Sequence, residues 1–71
     1  MKEYLIVIEK TNTGYSSFSP DLPGCIATGA TREEAEKNMK DAVEFHIEGL
    51  KMEGYEIPLP QSYSRYIKLS A

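Results

Sequence analysis

The sequence predicts an α+β domain in which the elements follow the order β-β-β-α-β. Three observations lead to this fold class: short apolar runs separated by turn residues in the first 30 positions, a long helical pattern after them, and an alternating apolar run near the end. The chain has 71 residues, which is enough for one domain over residues 1–71. A chain this short buries only about 60% of the surface that it exposes when unfolded. We therefore expect a homodimer or a larger assembly.

The first predicted strand spans residues 3–9 and is rich in β-branched residues. Both of its faces are apolar: Tyr4, Ile6 and Ile8 point one way, and Leu5 and Val7 the other. A strand with two apolar faces is typical of a sheet interior. We therefore expect a central strand that is covered on both sides.

Turn residues separate the next two strands. Residues 11–14 include Asn and Gly, which adopt positive φ at low cost, and the second strand is predicted over residues 15–19. Residues 20–24 end that strand because two prolines remove two backbone donors. A short third strand is predicted over residues 25–29.

The helix pattern is the strongest local signal in the sequence. Thr31 and Glu34 have the spacing of a capping box, in which the hydroxyl accepts the amide at Glu34 and the carboxylate reaches back. An apolar stripe follows at helical spacing, formed by Ala35, Met39, Ala42, Val43, His46 and Leu50. Gly54 suits the position that ends a helix. The pattern predicts about 22 helical residues, or about 33 Å at 1.5 Å per residue.

The last part of the chain predicts a connector and a fourth strand. Residues 57–60 contain two prolines and are expected to be extended, whereas residues 65–69 alternate as a strand does. If this strand lies beside the first, the sheet is four-stranded and mixed, with the order 3-2-1-4. One helix then covers one face through a right-handed crossover.

Charge and composition restrict the function classes. The net charge is −3, and the eight Lys and Arg residues are spread along the chain, so we expect no direct DNA binding. An acidic protein instead complements a basic partner. No run approaches the roughly 18 apolar residues that span a bilayer, and Met1-Lys2-Glu3-Tyr4 does not resemble a secretion signal. We expect a cytoplasmic protein, and its single cysteine allows no internal disulfide.

Two spaced motifs carry a family resemblance. The segment Phe18-Ser19-Pro20-Asp21-Leu22-Pro23-Gly24-Cys25 is followed by Gly29-Ala30-Thr31-Arg32-Glu33-Glu34-Ala35. Together they resemble the signature of HicB-type antitoxins, which has a Pro-Asp-Leu-Pro-Gly-Cys turn, a Gly-x-Thr and an acidic-Glu-Ala helix start. Glu48-Gly49-Leu50 and Ile57-Pro58-Leu59-Pro60 are also similar to the helix end and connector of that family.

The resemblance implies a partly degraded RNase H-like fold and a partner. That partner would be a small basic HicA-type toxin that cuts mRNA with a histidine. Many family members carry a further C-terminal DNA-binding domain, and the sequence up to Ala71 shows none. Direct operator binding is therefore not expected here.

The sequence offers no convincing catalytic set, so we expect no enzyme, no metal and no cofactor. Two-metal hydrolysis needs several converging carboxylates, yet no carboxylate occupies the centre of a predicted strand. Cys25 and His46 are by residue type a candidate nucleophile and a candidate base. A buried small hydrophobe and a core or edge histidine are the favoured interpretations of these two residues.

We predict an antitoxin that neutralises its toxin by steric masking. The expected anchors are Tyr15, Phe18 and Leu22 near the Pro-Asp-Leu-Pro-Gly turn, with Asp21 as a charged neighbour and with Glu44 and Glu48 speeding association. Phe45 and Met52 lie away from the main helix stripe and form a second candidate contact. The alternatives are a stand-alone structural or regulatory adaptor without a toxin and, more distantly, a residual nuclease.

Overall fold

The computed structural model describes residues 2–70 and contains three strands and one helix. In chain order these are β1 (Val7–Lys10), β2 (Tyr15–Phe18), β3 (Ile26–Gly29) and α1 (Arg32–Glu53). The strands form an antiparallel sheet in the order β1-β2-β3, and α1 packs on one face of it. The predicted α+β class is confirmed.

The predicted fourth strand does not form within the described chain. Residues 65–69 have no regular secondary structure, and every residue from 63 to 70 is exposed. The expected four-stranded mixed sheet of order 3-2-1-4 was therefore wrong, and β1 is an edge strand rather than a central one. Alternation shows that a segment suits a strand, but a strand also needs a partner edge within reach.

The strand register determines which residues face the helix. Ser17 lies opposite Ile8 and Ala27 in the sheet. Its buried hydroxyl is 3.2 Å from the carbonyl oxygen of Ala27 and 3.4 Å from that of Ala35, so it can donate to either. Because strand residues alternate between faces, the neighbouring Phe18 points to the opposite, uncovered side.

The core is small and lies between the sheet and the first half of the helix. Its buried apolar residues among those described are Leu22, Cys25, Ala35 and Met39. Leu22 comes from the turn after β2, where the Leu22 amide donates to Ser19 and the Cys25 amide donates to Leu22, both at 3.1 Å. The turn thus forms part of the core as well as reversing the chain.

The start of α1 follows the predicted capping box closely. The Thr31 hydroxyl accepts the Glu34 amide at 3.0 Å, and the Glu34 carboxylate accepts an amide at 2.6 Å, from Ala30 rather than from Thr31. Gly29 allows this end to approach the sheet, because a Cβ there would lie 2.5 Å from the Ala35 nitrogen. The Gly-x-Thr motif therefore combines a close approach with a helix cap.

The far end of α1 extends past the sheet. Gly54 has a φ of 75° and ends the helix as predicted, with its amide donating to Lys51 at 3.1 Å. The 22-residue helix is about 33 Å long, whereas a four-residue strand spans about 13 Å. The two fully buried helix residues, Ala35 and Met39, are both in its first half. Within residues 2–70 no helix has the combination of length and apolar character that a membrane crossing requires.

Candidate protein-interaction surface

The uncovered face of the sheet carries a row of apolar side chains. Val7, Phe18 and Ile26 are partners in the strand register, so they lie side by side across the sheet. Ile26 is 67% exposed and Phe18 36%, while Val7 is partly buried. We call Val7, Phe18 and Ile26 the open-face row. Exposed apolar patches of this kind commonly mark protein contacts.

A groove runs between the helix and the chain that leads into β1. Its apolar lining consists of Tyr4, Ile6, Val43 and Ile47, and Ile57 lies at one end. Four glutamates and four lysines border it: Glu33, Glu36, Glu44, Glu48, Lys2, Lys37, Lys40 and Lys51. We call this feature the β1–helix groove. It is open, apolar inside and electrically balanced at its border.

The structure separates the six residues that we predicted as the toxin contact. Tyr15 and Phe18 are three positions apart on β2 and so face opposite sides of the sheet. Tyr15 lies beside Lys10, whose ammonium is 5.5 Å from the ring centroid. Glu44 and Glu48 border the β1–helix groove. The predicted residues therefore do not form one continuous surface.

Leu22 cannot act as a surface anchor in this chain. Its side chain is fully buried and packs in the core with Cys25 and Met39. We predicted Leu22 as an anchor from its place in the Pro-Asp-Leu-Pro-Gly turn. Backbone turns on both sides of Leu22 direct its side chain inward instead.

Asp21 holds the connector after the helix. Its carboxylate accepts the amides of Gln61 and Ser62, at 3.0 and 2.9 Å, and the hydroxyl of Ser62 at 3.0 Å. The hydrogen bond from the Ser62 amide is the largest cause of a pKa below the usual value for this carboxyl. The Tyr4 hydroxyl donates to the carbonyl oxygen of Pro58. Asp21 thus has a structural task that the sequence did not reveal.

The candidate chemical groups have ordinary structural surroundings. Cys25 is 4% exposed, and its removal from water raises the pKa of the thiol, which keeps it protonated at neutral pH. His46 lies partly buried on the helix. Among residues 2–70 no three His, Cys, Asp or Glu side chains are grouped as metal ligands would be.

Sequence reasoning missed two parts of these surfaces. Val7 and Ile26 join Phe18 only through the strand register, which the sequence does not state. The sequence did contain an indication of the β1–helix groove, because both faces of the predicted first strand are apolar. We interpreted that pattern as a central strand, whereas it belongs to an edge strand beside an open groove.

Comparisons with known proteins place the chain in a family. The model of the HicB_like antitoxin of bacterial toxin-antitoxin systems matches residues 4–70. An uncharacterized 14.9 kDa protein from the rep-hol intergenic region of Haemophilus phage HP1 is 45% identical over 64 residues. That match covers 90% of this chain and 48% of the phage protein, so the chain spans about half of that relative's length.

Two further matches agree with this placement. A UPF0150 protein of Thermoplasma acidophilum is 40% identical over 57 residues, which cover 79% of this chain and 83% of that protein. In the solved HicA3 and HicB3 toxin-antitoxin complex, one chain matches with a TM-score of 0.73 and 38% identity. That match covers 84% of this chain and 70% of the other. The chain belongs to the HicB-like antitoxin family of bacterial toxin-antitoxin systems.

Proposed function

We propose that this chain is a non-catalytic antitoxin that binds a small basic HicA-type toxin and masks its RNA-binding surface. The observation that carries the proposal is the match, at 38% identity over 84% of the chain, to a chain of the HicA3 and HicB3 complex. The proposed setting is the cytoplasm, where the mRNA substrate of such a toxin is present. We also propose that the β-β-β-α order derives from an RNase H-like fold.

The open-face row is the proposed anchor for the toxin. Phe18 was expected to contact the toxin from the sequence alone, and Val7 and Ile26 flank it in register. Burying an aromatic side chain between aliphatic neighbours concentrates binding energy in a few residues. Tyr15 faces the other side and Asp21 holds the connector, so neither belongs to this anchor.

The acidic charge of the chain has a separate proposed effect on the rate of association. The net charge is −3, and a field of this sign attracts a basic toxin before contact. Glu44 and Glu48 are exposed and contribute to this attraction from outside the anchor. Reversing both charges is expected to slow association and weaken its salt dependence, with little effect on dissociation.

The test measures binding kinetics against a small basic HicA-type toxin. Phe18→Ala is expected to raise the dissociation rate about tenfold or more, which corresponds to at least about 1.4 kcal/mol. Phe45→Ala is the matched control, because Phe45 is 82% exposed but lies on the helix. It should bind like the parent.

Two results would contradict this proposal. No binding by the parent chain would remove the antitoxin function and favour the adaptor alternative. A defect in Phe45→Ala combined with normal binding by Phe18→Ala would move the contact to the helix.

A further inference from the structure

Residues 63–70, which we call the C-terminal segment, expose apolar side chains that nothing in the described chain covers. Tyr66 is fully exposed, and Tyr63, Ile67 and Leu69 are 82%, 83% and 81% exposed. Within residues 2–70 no backbone hydrogen bond joins this segment to the rest of the molecule. The Cα radius of gyration is 13.9 Å, whereas a compact domain of this length has about 11 Å. The exposed side chains and the missing backbone hydrogen bonds show that the segment is not packed on the folded body.

The C-terminal segment has the pattern of a strand with one face that is apolar except for Arg65. In an extended conformation Tyr63, Arg65, Ile67 and Leu69 point one way. The other side is more polar and consists of Ser64, Tyr66, Lys68 and Ser70. This is the pattern of a strand that covers an apolar surface and leaves its other side in water.

The edge of β1 offers a matching place for such a strand. β1 pairs with β2 on one side only, so its other side has unpaired amide and carbonyl groups. The β1–helix groove lies beside this edge and is lined by Tyr4, Ile6 and Val43. A strand added there would complete the backbone pairing of β1 and place its apolar face in the groove.

We propose that the C-terminal segment of one copy pairs with the β1 edge and groove of a second copy, and that the exchange is reciprocal. Asp21 fixes the chain at Gln61 and Ser62, and the segment beyond that point is not packed on its own body. A second copy can receive it, and two copies related by a two-fold axis then exchange identical strands. Each sheet gains its fourth strand, in the order 3-2-1-4, from the partner.

Charge favours a second copy over a basic protein as the acceptor. Within residues 63–70 there are two cations, Arg65 and Lys68, and no acidic residue. Since the whole chain has a net charge of −3, the remaining residues have −5. The border of the groove is balanced in charge, but the net charge of the acidic body as a whole attracts a basic segment, whereas a basic toxin repels it.

The exchange can bury an area typical of stable interfaces. A tyrosine buries about 150 Å² or more. Only Tyr63 of each segment lies on the face that enters the groove, so the two Tyr63 side chains supply roughly 300 Å². A specific interface is expected to exceed about 1,000 Å² in total. Two isoleucines, two leucines and the paired backbone contribute the remainder.

The first experiment measures molar mass by light scattering at micromolar concentration. The parent chain is expected at twice the chain mass of 8.0 kDa. The double variant Ile67→Asp, Leu69→Asp should be a folded monomer, since both side chains are exposed in the single chain. Ser64→Asp with Ser70→Asp adds the same charge on the polar face and should remain dimeric. A monomeric parent, or a dimeric Ile67→Asp, Leu69→Asp variant, would overturn the proposal.

The second experiment measures amide hydrogen exchange in residues 63–70 as the protein is diluted. Pairing with a second copy predicts protection that disappears on dilution below the dimer dissociation constant. Protection that is independent of concentration would mean that the segment folds onto its own β1 edge, and the proposal would be wrong. Protection that arises only when toxin is added would assign the segment to the toxin and also overturn the proposal.

Discussion

The body of residues 4–54 and the C-terminal segment are both rich in apolar residues, but only the body buries them. In the body each strand meets the next through a short turn, and the helix returns at once over the sheet. The C-terminal segment comes after a connector that contains two prolines and is held at Asp21. The sequence pattern of a helix or strand determines which of its faces is apolar. The length and course of the connecting loop determine whether another part of the same chain can cover that face.

The largest expected change in stability comes from a Leu→Ala truncation, which is compared in the body and in the C-terminal segment. Leu22→Ala removes a fully buried side chain and should lower the free energy of unfolding by about 2–5 kcal/mol. Leu69→Ala removes one that is 81% exposed and should change the stability of the monomer by less than about 0.5 kcal/mol. Urea denaturation at a concentration where the chain is monomeric measures both. Equal losses would mean that the segment packs on its own body.

A smaller change in stability is expected when two glycines of the body are each replaced by alanine. Gly29→Ala places a methyl group 2.5 Å from the Ala35 nitrogen and should cost about 1–3 kcal/mol through displacement of the helix start. Gly49 lies in the helix with open space around it. Gly49→Ala should therefore raise the free energy of unfolding by up to about 1 kcal/mol. Thermal unfolding should move in opposite directions for the two variants. A neutral Gly29→Ala would show that the helix does not press on β3.

The smallest expected effect concerns the link between the two regions. Hydrogen bonds that the amide and hydroxyl of Ser62 donate to Asp21 lower the folded-state pKa of this carboxyl below its usual value of 3.8. The contribution of Asp21 is therefore complete above pH 3.8 and is lost as the pH falls through the lowered folded-state pKa. Exchange protection of the Ser62 amide should fall over that range and be weak at every pH in Asp21→Asn. A Ser62 amide that is equally protected in both proteins would show that Tyr4 alone fixes the connector.

The sequence predicts the local parts of this fold well. The capping box at Thr31, the end of the helix at Gly54 and the turn at residues 20–24 all depend on neighbouring residues, and all three are confirmed. The fourth strand was wrong because its place depends on an edge more than 50 positions away in the sequence. Local pattern cannot decide whether that edge belongs to the same molecule.

The candidate site was less predictable than the fold. Phe18 was expected at the surface, but its neighbours Val7 and Ile26 come from two other strands and depend on the register. Leu22 was misplaced because its direction depends on two turn hydrogen bonds. Asp21 has its partners about 40 positions later in the chain, and no periodicity connects them.

The helix extends past its sheet, so it is held firmly where it packs and is less stable at its C-terminal end. Ala35 and Met39 are buried in the first half of the helix, and Val43 and Ile47 pack against the core. The exposed last turn relies on its own backbone bonds and on the cap at Gly54. Short helical stretches without packing are marginal in water. The last turn should therefore unfold locally far more often than the sheet does. A ligand that binds Met52 would have to order this last turn and would lose affinity in doing so. Binding at this position would in turn reduce the local unfolding of the last helical turn.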